Sequence, residues 1–299
     1  MKQIIIISGK GGTGKTVITA AFAALAKNKV MADCDVDAAD LHLLLSPKIL
    51  ERHEFRSGRT AVIDKEKCIS CKKCIEVCRF DAIYSPQKEN RGLSTMDDEL
   101  KIDPISCEGC AFCSYICPAE AIKMEENTSG EWFISDTRFG SMVHAKLNVA
   151  SENSGKLVTL VKQKAKELAE KENSDWIIVD GAPGIGCPII ASLSGVDFAL
   201  VVTEPTLSGL HDARRVVGVA RHFRIPVKLI INKFDLNPDM TEEIEKYAES
   251  DRIAVLGRIS FDESVVKAMV EGMTIIEFTD SRAKQDLIKI WKKLEEELR

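Results

Sequence analysis

The sequence predicts an α/β protein with a doubly wound, mostly parallel sheet that is interrupted by a small α+β domain. Three observations support this prediction. The chain opens with a β-branched run, a glycine-rich loop and an apolar helix; alternating strand and helix patterns return in its second half; and most of its ten cysteines fall in two short runs between these parts. Strand–helix–strand alternation implies right-handed crossovers and hence parallel strands.

The first fifty residues predict a strand, a loop, a helix and a second strand. Residues 3–8, QIIIIS, are typical of a strand that is buried on both faces. Residues 16–28 form an alanine-rich helical pattern, and residues 29–35, KVMADCD, read as a strand that ends in acidic residues. These acids would therefore lie at the carboxyl edge of the sheet.

The second half of the chain repeats the alternation. Residues 156–172 have the apolar periodicity of a helix, and four buried-strand patterns follow at 175–180, 197–205, 227–235 and 253–260. The last segment, 280–298, places an apolar stripe on one helical face that we expect to dock on the sheet: Leu287, Trp291, Leu294 and Leu298.

We therefore predict one discontinuous domain, residues 1–54 and 146–299, and an inserted domain with its return linker, residues 55–145. Regular periodicity is weak from about 55 to 130, and the polar stretch 85–99 is expected to be a loop or hairpin connection. An insertion of this size has a small core, so it would need a metal as a staple.

Composition narrows the classes of partner. The formal net charge of −5 argues against nucleic acid, which needs a clustered basic surface. No apolar run approaches the roughly 18–20 residues of a membrane span, and the mixed charges of the last helix do not favour a stable membrane anchor. Closely spaced cysteines indicate metal binding in a reducing compartment, so a cytoplasmic location is expected.

Residues 9–16, GKGGTGKT, fit the phosphate-binding loop G-x-x-x-x-G-K-[ST], directly after a strand and before a helix. In such a loop the backbone N–H groups converge on the phosphates of a nucleotide. Lys15 would contact the β- and γ-phosphates, and the Thr16 hydroxyl would bind Mg²⁺. The loop residues expected to cradle the phosphates are Gly9, Gly11, Gly12, Thr13 and Gly14.

The early lysine of this loop, Lys10, resembles the signature of the deviant Walker-A group, whose loops read K-G-G-x-G-K-[ST] and which includes MinD, ParA and the nitrogenase iron protein. The resemblance covers most of both outer pieces of the chain. It implies an ATPase with slow hydrolysis and a homodimer that closes on nucleotide binding. In that family the early lysine acts across the dimer interface, so Lys10 is a candidate catalytic residue together with Lys15.

The resemblance also assigns roles to acids and to one glycine. Asp33 would lie near Mg²⁺, and Asp35 would orient the attacking water as a candidate catalytic residue, with Asp37 as a second candidate for that water. In the stretch WIIVDGAPGIG, residues 176–186, Asp180 would hold Mg²⁺ through water, and the Gly184 N–H would sense the γ-phosphate.

Residues 232–235, NKFD, have the N-K-x-D form that is used for guanine recognition, which makes Asn232 and Asp235 candidate base-contacting residues. Relatives that bind ATP also place an asparagine here against the adenine. The resemblance therefore favours ATP, and GTP stays open.

The two cysteine runs share the spacing C-x₂-C-x₂-C-x₃-C, and proline follows the second run. This is the pattern of bacterial two-cluster ferredoxins, in which the fourth cysteine of each run ligates the other cluster. The first run departs from it, with Arg79 and Phe80 where proline is usual. A zinc site would need paired C-x₂-C ligands and is disfavoured. The resemblance implies one [4Fe–4S] cluster on Cys68, Cys71, Cys74 and Cys117, and a second on Cys78, Cys107, Cys110 and Cys113.

Cys187 stands seven residues after Asp180, the offset at which the nitrogenase iron protein carries a cluster-ligating cysteine. The second cysteine of that site has no counterpart in the outer pieces, since Cys34 is in another element. A metal held by a pair of Cys187 residues is one hypothesis, and a small apolar residue at a helix start is the alternative.

Together these features resemble MinD-superfamily ATPases with an inserted ferredoxin domain. The first hypothesis is an iron–sulfur protein that couples a nucleotide-driven dimer switch to electron transfer toward a redox partner. The alternative is a maturation ATPase that inserts a cluster or metal into a client protein. A positioning ATPase of the ParA or MinD type is disfavoured by the cysteine runs.

Overall fold

A computed structural model of the chain describes residues 1–85, 99–148 and 154–298. The chain divides into two compact units. Unit 1 comprises residues 1–53, 131–147 and 154–299, and unit 2 comprises residues 54–130 and 148–153. The predicted return to the first domain at residue 146 differs from this division, which already places residues 131–147 in unit 1. The predicted connection at 85–99 falls mostly outside the described residues.

The strands are numbered in chain order. They are β1 (Lys2–Ser8), β2 (Lys29–Asp33), β3 (Lys48–Ile63), β4 (Ile83–Tyr84), β5 (Lys101–Ile102), β6 (Ile122–Thr137), β7 (Gly140–Leu147), β8 (Trp176–Asp180), β9 (Phe198–Thr203), β10 (Val227–Asn232) and β11 (Ala254–Ile259).

The helices are numbered in the same way. They are α1 (Lys15–Leu25), α2 (Leu41–Leu45), α3 (Lys73–Val77), α4 (Phe112–Ile116), α5 (Ser154–Lys171), α6 (Cys187–Leu193), α7 (Leu207–His222), α8 (Pro238–Ser250), α9 (Glu263–Val270), α10 (Ile275–Phe278) and α11 (Arg282–Leu298), with one 3₁₀ turn at Phe234–Leu236.

The main sheet has the strand order β11-β10-β9-β1-β8-β2-β7-β6-β3. All pairings from β11 to β7 are parallel, which confirms the predicted doubly wound α/β class. The register sets Asp33 of β2 opposite Asp180 of β8, and Asp180 also pairs with Ile6 of β1. Because parallel strands end at the same edge, the loops after β1, β2 and β8 meet there.

The core of unit 1 explains why the first strand is uniformly apolar. The side chains of Ile4, Ile5, Ile6 and Ile7 are fully buried, as expected for a central strand that is covered on both faces. Helix α11 packs into this core through its apolar stripe: the Trp291 ring lies 5.2 Å from Phe22 and 5.6 Å from Trp176. The predicted docking of the last helix is confirmed.

Unit 2 contains a short internal repeat around its two cysteine runs. The Asp64 N–H donates to the Ala121 carbonyl, and the Asp103 N–H donates to the Ala82 carbonyl, both at 2.7 Å. Helices α3 and α4 occupy equivalent places, each immediately after a residue with positive φ, Lys72 and Ala111. The core of this unit consists of a few aliphatic side chains interleaved with cysteines.

The weak periodicity between about 55 and 130 did not indicate the two long strands that the structure contains there. β3 and β6 are each sixteen residues long, and each has residues in both units. Most side chains of β3 are exposed, so the strand carries little apolar alternation for a pattern search to detect. Among the described residues, no helix is long and apolar enough to cross a bilayer.

Candidate nucleotide site and cysteine cavities

The loop between β1 and α1 is held closely by neighbouring elements, and its glycines make this possible. A Cβ atom on Gly9 would lie 2.4 Å from Cβ of Asp212 in α7, and one on Gly14 would lie 2.4 Å from Nδ2 of Asn232. Asn232 in turn donates from Nδ2 to the Thr13 carbonyl at 2.8 Å. Both contacts require a residue without a side chain.

The middle of the same loop is open. Cβ atoms built on Gly11 and Gly12 would meet no described atom within 4 Å, and Gly12 and Gly14 have φ angles of 80° and 90°. Helix α1 starts directly after this loop, with no acidic residue in its first turn. The unpaired N–H groups and the positive end of such a helix favour an anion, so the geometry suits a phosphate group.

Lys15 lies beneath the loop among carboxylates. Its side chain is 6% exposed, and Nζ lies 3.0 Å from Asp180 Oδ1 and 3.2 Å from Asp35 Oδ2. Burial by itself would lower the pKa of Lys15, but the nearby carboxylate charges outweigh burial and raise it. Lys15 is therefore a permanently charged cation, and its two carboxylate partners hold it beside the phosphate-binding loop.

The acids beside Lys15 form a donor set suited to a hard cation. Burial, followed by the charge of Asp180, raises the pKa of Asp33 well above its usual value, and burial likewise raises the pKa of Asp35. Asp33 Oδ2 has no hydrogen-bond partner among the described residues. A buried carboxylate oxygen without a partner is costly, and Mg²⁺ prefers oxygen ligands. The residues present fit Mg²⁺.

Two threonines of α1 fix the position of Asp180. Thr16 Oγ1 donates to Asp180 Oδ2 at 2.8 Å, and Thr19 Oγ1 donates to Asp180 Oδ1 at 2.9 Å. Thr16 was predicted from the loop motif, whereas Thr19 was not. The available signal was its spacing, since Thr19 lies one turn after Lys15 on the same face of the helix.

Lys10 pairs within its own chain. Its Nζ lies 2.7 Å from Glu204 Oε1, directly after β9, and donates to Ser208 Oγ in α7 at 3.0 Å. Glu204 was not predicted as a site residue. An acid that follows a buried strand at the carboxyl edge of the sheet was the signal that could have identified it.

The predicted switch glycine, Gly184, and the candidate metal ligand Cys187 have different surroundings. The Gly184 N–H donates to the Ser8 carbonyl at 3.0 Å, so in this structure the group expected to sense the γ-phosphate bonds to the end of β1. Cys187 is exposed and begins α6, and a Cβ on Gly155 of α5 would lie 3.5 Å from its Cβ. Among the described residues, Cys187 belongs to no metal-binding group.

The N-K-x-D residues connect three loops. The Lys233 N–H donates to Asn232 Oδ1 at 3.0 Å, and the Phe261 N–H donates to Asp235 Oδ1 at 2.7 Å. Asp235 therefore fixes the loop after β11, while Asn232 holds the phosphate-binding loop. The predicted base-contacting residues lie at one edge of the sheet, next to that loop.

Unit 2 contains two small cavities of nearly equal size. Both are lined mainly by cysteine and aliphatic side chains. The first cavity is lined by Cys68, Cys71, Cys74 and Cys117, and the second by Cys78, Cys107, Cys110 and Cys113.

Each cavity thus gathers three cysteines of one run and the last cysteine of the other, which is the grouping implied by the ferredoxin resemblance. No group of three or more His, Cys, Asp or Glu side chains placed to hold a metal ion occurs in the described parts of the chain. The cluster assignment therefore stays a prediction. The donor chemistry of the cavities, thiols in apolar surroundings, fits iron–sulfur clusters.

The sheet, the phosphate-binding loop and the buried acids define a P-loop nucleotide-binding protein. The chain belongs to the CobQ/CobB/MinD/ParA nucleotide binding domain family, whose model matches residues 4–275. The family part of the predicted resemblance is thereby confirmed.

Similar proteins agree with this membership. An uncharacterized protein of Methanocaldococcus jannaschii is 34% identical over 241 residues, 79% of each chain. The septum site-determining protein MinD of Bacillus subtilis is 30% identical over 157 residues, 50% of this chain and 58% of that protein. The structure of MinD from Pyrococcus horikoshii complexed with Mg-ADP has a TM-score of 0.58 at 16% identity, covering 99% of this chain and 97% of the other; this last likeness concerns the fold.

Proposed function

We propose that the chain is an ATP-binding and slowly ATP-hydrolysing iron–sulfur protein, in which a nucleotide-driven homodimer switch is coupled to electron transfer toward a partner protein. The observation that carries the proposal is the pairing, in one chain, of a complete phosphate-binding site with two cysteine-lined cavities. Neither feature explains the other, so a coupled function accounts for both.

The nucleotide half rests on the site in unit 1. Lys15 would neutralise the β- and γ-phosphates, Thr16 and Asp180 would hold Mg²⁺, and Asp33 has a buried oxygen that a cation would satisfy. Asp35 is the candidate for orienting the attacking water. The Mg-ADP complex of the Pyrococcus horikoshii relative supports the same nucleotide chemistry here.

Adenine is the proposed base. The carboxylate of Asp235, which the N-K-x-D form would direct to guanine, already accepts the Phe261 N–H. Competition binding tests this: labelled ATP with Mg²⁺ should be displaced by unlabelled ATP at a concentration at least about tenfold lower than that of GTP. Equal displacement by GTP would contradict the choice of adenine.

The cluster half rests on the two cavities of unit 2. Cys68, Cys71, Cys74 and Cys117 would hold one [4Fe–4S] cluster, and Cys78, Cys107, Cys110 and Cys113 the other. A cube with four thiolate ligands has no open iron position, and such clusters supply one-electron transfer at potentials set by charge and hydrogen bonding around them. The partner is therefore proposed to be a redox protein.

The deciding experiment is an anaerobic titration of the reduction potentials of the full chain, with and without ATP and Mg²⁺. Coupling predicts that ATP shifts at least one potential, and that reduction of the protein changes its rate of ATP hydrolysis. Clusters that are reducible but insensitive to ATP would contradict the electron-transfer function and favour maturation or a structural role.

The maturation alternative predicts a different result, which can be measured on the same purified protein. It predicts iron or another metal that mild chelation removes from the dimer while the iron bound in unit 2 persists. The exposed Cys187 is the thiol to test, and a Cys187→Ser variant with unchanged metal content and unchanged delivery to a client would exclude it from that role.

A further inference from the structure

The strands β1, β9 and β10 are neighbours in the sheet, and each ends in a loop that contributes one charged side chain to a small cluster. Glu204, directly after β9, lies at its centre. Glu204 Oε1 is 2.7 Å from Lys10 Nζ, and Glu204 Oε2 is 3.5 Å from Lys233 Nζ. One carboxylate thus connects the phosphate-binding loop to the N-K-x-D loop.

Glu204 is held rigidly by the start of α7. A Cβ on Gly209 would lie 2.3 Å from the Glu204 carbonyl oxygen, so the first turn of α7 packs directly on the backbone of Glu204. The Thr206 side chain caps this helix by accepting the Gly209 N–H at 2.9 Å. The side chain of Glu204 is 17% exposed, and this partial burial limits the number of positions its carboxylate can take.

The backbone of Lys10 is fixed as well. Ser8 Oγ donates to the Lys10 carbonyl at 2.8 Å. The Lys10 side chain contacts both Ser208 Oγ and Glu204. Burial would raise the pKa of Glu204, but the hydrogen bond and charge of Lys10, together with Lys233, keep it below its usual value. Glu204 is therefore an anion under physiological conditions, facing two cations.

We propose that Glu204 is a positioning residue that retains Lys10 within its own protomer and thereby opposes ATP-dependent dimerisation. This inference rests on the proposed function, because it needs the nucleotide-driven dimer and the role across the dimer interface that the family resemblance implies for Lys10. The bonds to Glu204 and Ser208 use two of the three N–H donors of Lys10 and hold its ammonium group against its own chain. Contact of Lys10 with a phosphate in another chain competes with these bonds, so the threshold for dimer closure depends on their strength.

The test compares Glu204→Gln with the native chain in sedimentation velocity over a series of ATP concentrations with Mg²⁺. A partly exposed ion pair contributes modestly, so we expect half-maximal dimer formation at about two- to fivefold less ATP in Glu204→Gln. The matched control is Glu245→Gln, which breaks the pair of Glu245 with Arg258 in α8 and β11 and should leave the dimer threshold unchanged.

A second variant guards against a simple structural effect. Ser208→Ala keeps the Glu204 carboxylate and removes one hydrogen-bond acceptor of Lys10, so its threshold should fall in the same direction by a smaller factor, with an unchanged melting temperature. A Glu204→Gln threshold equal to or higher than the native value, in protein that melts at the native temperature, overturns the proposal. If Glu204→Gln does not fold, the Ser208→Ala threshold decides in the same way.

Lys10→Ala separates this inference from the proposed function. If Lys10→Ala no longer dimerises with ATP while Glu204→Gln behaves as the native chain, the dimer switch stands and the positioning role of Glu204 fails. If Lys10→Ala dimerises as the native chain does, the trans role of Lys10 fails and the positioning role falls with it. A lower threshold in Glu204→Gln that disappears in the Lys10→Ala background supports both.

Discussion

Unit 1 and unit 2 differ in the make-up of their cores. Unit 1 buries a parallel sheet whose central strand contributes four fully buried isoleucines, Ile4 to Ile7. The core of unit 2 has a few aliphatic side chains, and cysteines make up much of the rest. Small domains with limited cores depend on covalent or metal links. We therefore expect burial of apolar side chains to stabilise unit 1, and metal bound by the cysteine thiols to stabilise unit 2.

The largest expected effect follows from this contrast. Cys74→Ser removes a buried thiol from the first cavity. The two proposed clusters would supply about eight iron atoms per chain, and we expect this content to fall to about four in the variant. Unit 2 should become sensitive to limited proteolysis, while ATP binding by unit 1 changes less than about twofold. Cys34→Ser, which alters a buried thiol of unit 1, should keep its iron. Loss of ATP binding in Cys74→Ser would show that the units are not independent.

The arrangement of the thiols gives a sharper version of this experiment. Crossed ligation predicts that Cys78→Ser with Cys110→Ser damages one cluster and leaves about four iron atoms, because both line the second cavity. Cys78→Ser with Cys71→Ser should damage both clusters. Ligation within each run predicts the reverse, so anaerobic iron analysis of the two double variants discriminates between the arrangements.

A substitution at the nucleotide site of unit 1 should leave the iron bound by unit 2 unchanged. Lys15→Met removes the cation that faces Asp35 and Asp180, and we expect ATP hydrolysis to fall by at least about a hundredfold, since charge stabilisation at the phosphates is lost. The iron content should be unchanged. A steady-state phosphate-release assay measures the first quantity, and hydrolysis within about threefold of the native rate would exclude Lys15 from the reaction.

A smaller effect is predicted within the phosphate-binding loop. Gly9→Ala places a Cβ 2.4 Å from Asp212 Cβ, whereas Gly11→Ala meets no described atom within 4 Å. Overpacking of this kind costs about 1–3 kcal/mol of unfolding free energy, and Gly11→Ala should stay within about 0.5 kcal/mol of the native chain. Denaturant unfolding of the two variants measures the difference. Equal stabilities would mean that α7 does not pack on the loop as described.

The sequence predicts unit 1 well because its signals are local. The run Ile4 to Ile7 and the spacing of Lys15 and Thr16 each identify an element without knowledge of its neighbours. Glu204 could not be assigned to Lys10 from sequence, since they are far apart in the chain and meet through the strand order of β1 and β9. That order is set by packing of the whole sheet rather than by any short pattern.

For unit 2, the sequence predicts the chemistry better than the secondary structure. Cysteine spacing indicates the chemistry of its cavities, but the long strands β3 and β6 were not predicted. Most side chains of β3 are exposed, and the buried positions of β6 do not alternate regularly with exposed ones. Such strands are specified by pairing with neighbours in the sheet, an interaction that a pattern confined to one segment does not record.

An effect of similar size concerns a buried histidine of unit 1 and appears only on acidification. His144 in β7 stacks on Phe133 and has Nε2 2.9 Å from Ser135 Oγ, and burial, followed by the charge of His42, lowers its pKa to about 4 from 6.5. Between these values the unfolded chain binds the proton and the folded chain does not, so stability decreases as pH falls below about 6.5. Going from pH 7 to pH 5 should cost about 2 kcal/mol through this group.

The variants His144→Gln and Ser135→Ala isolate that contribution in urea unfolding at both pH values. His144→Gln should lose about 2 kcal/mol less than the native chain between pH 7 and pH 5. Ser135→Ala keeps the imidazole, so its stability should be lower at both pH values while the loss on acidification persists. An identical pH dependence in His144→Gln and the native chain would mean that the imidazole takes up its proton without unfolding, and that its neighbours in β6 and β7 rearrange to accept the charge.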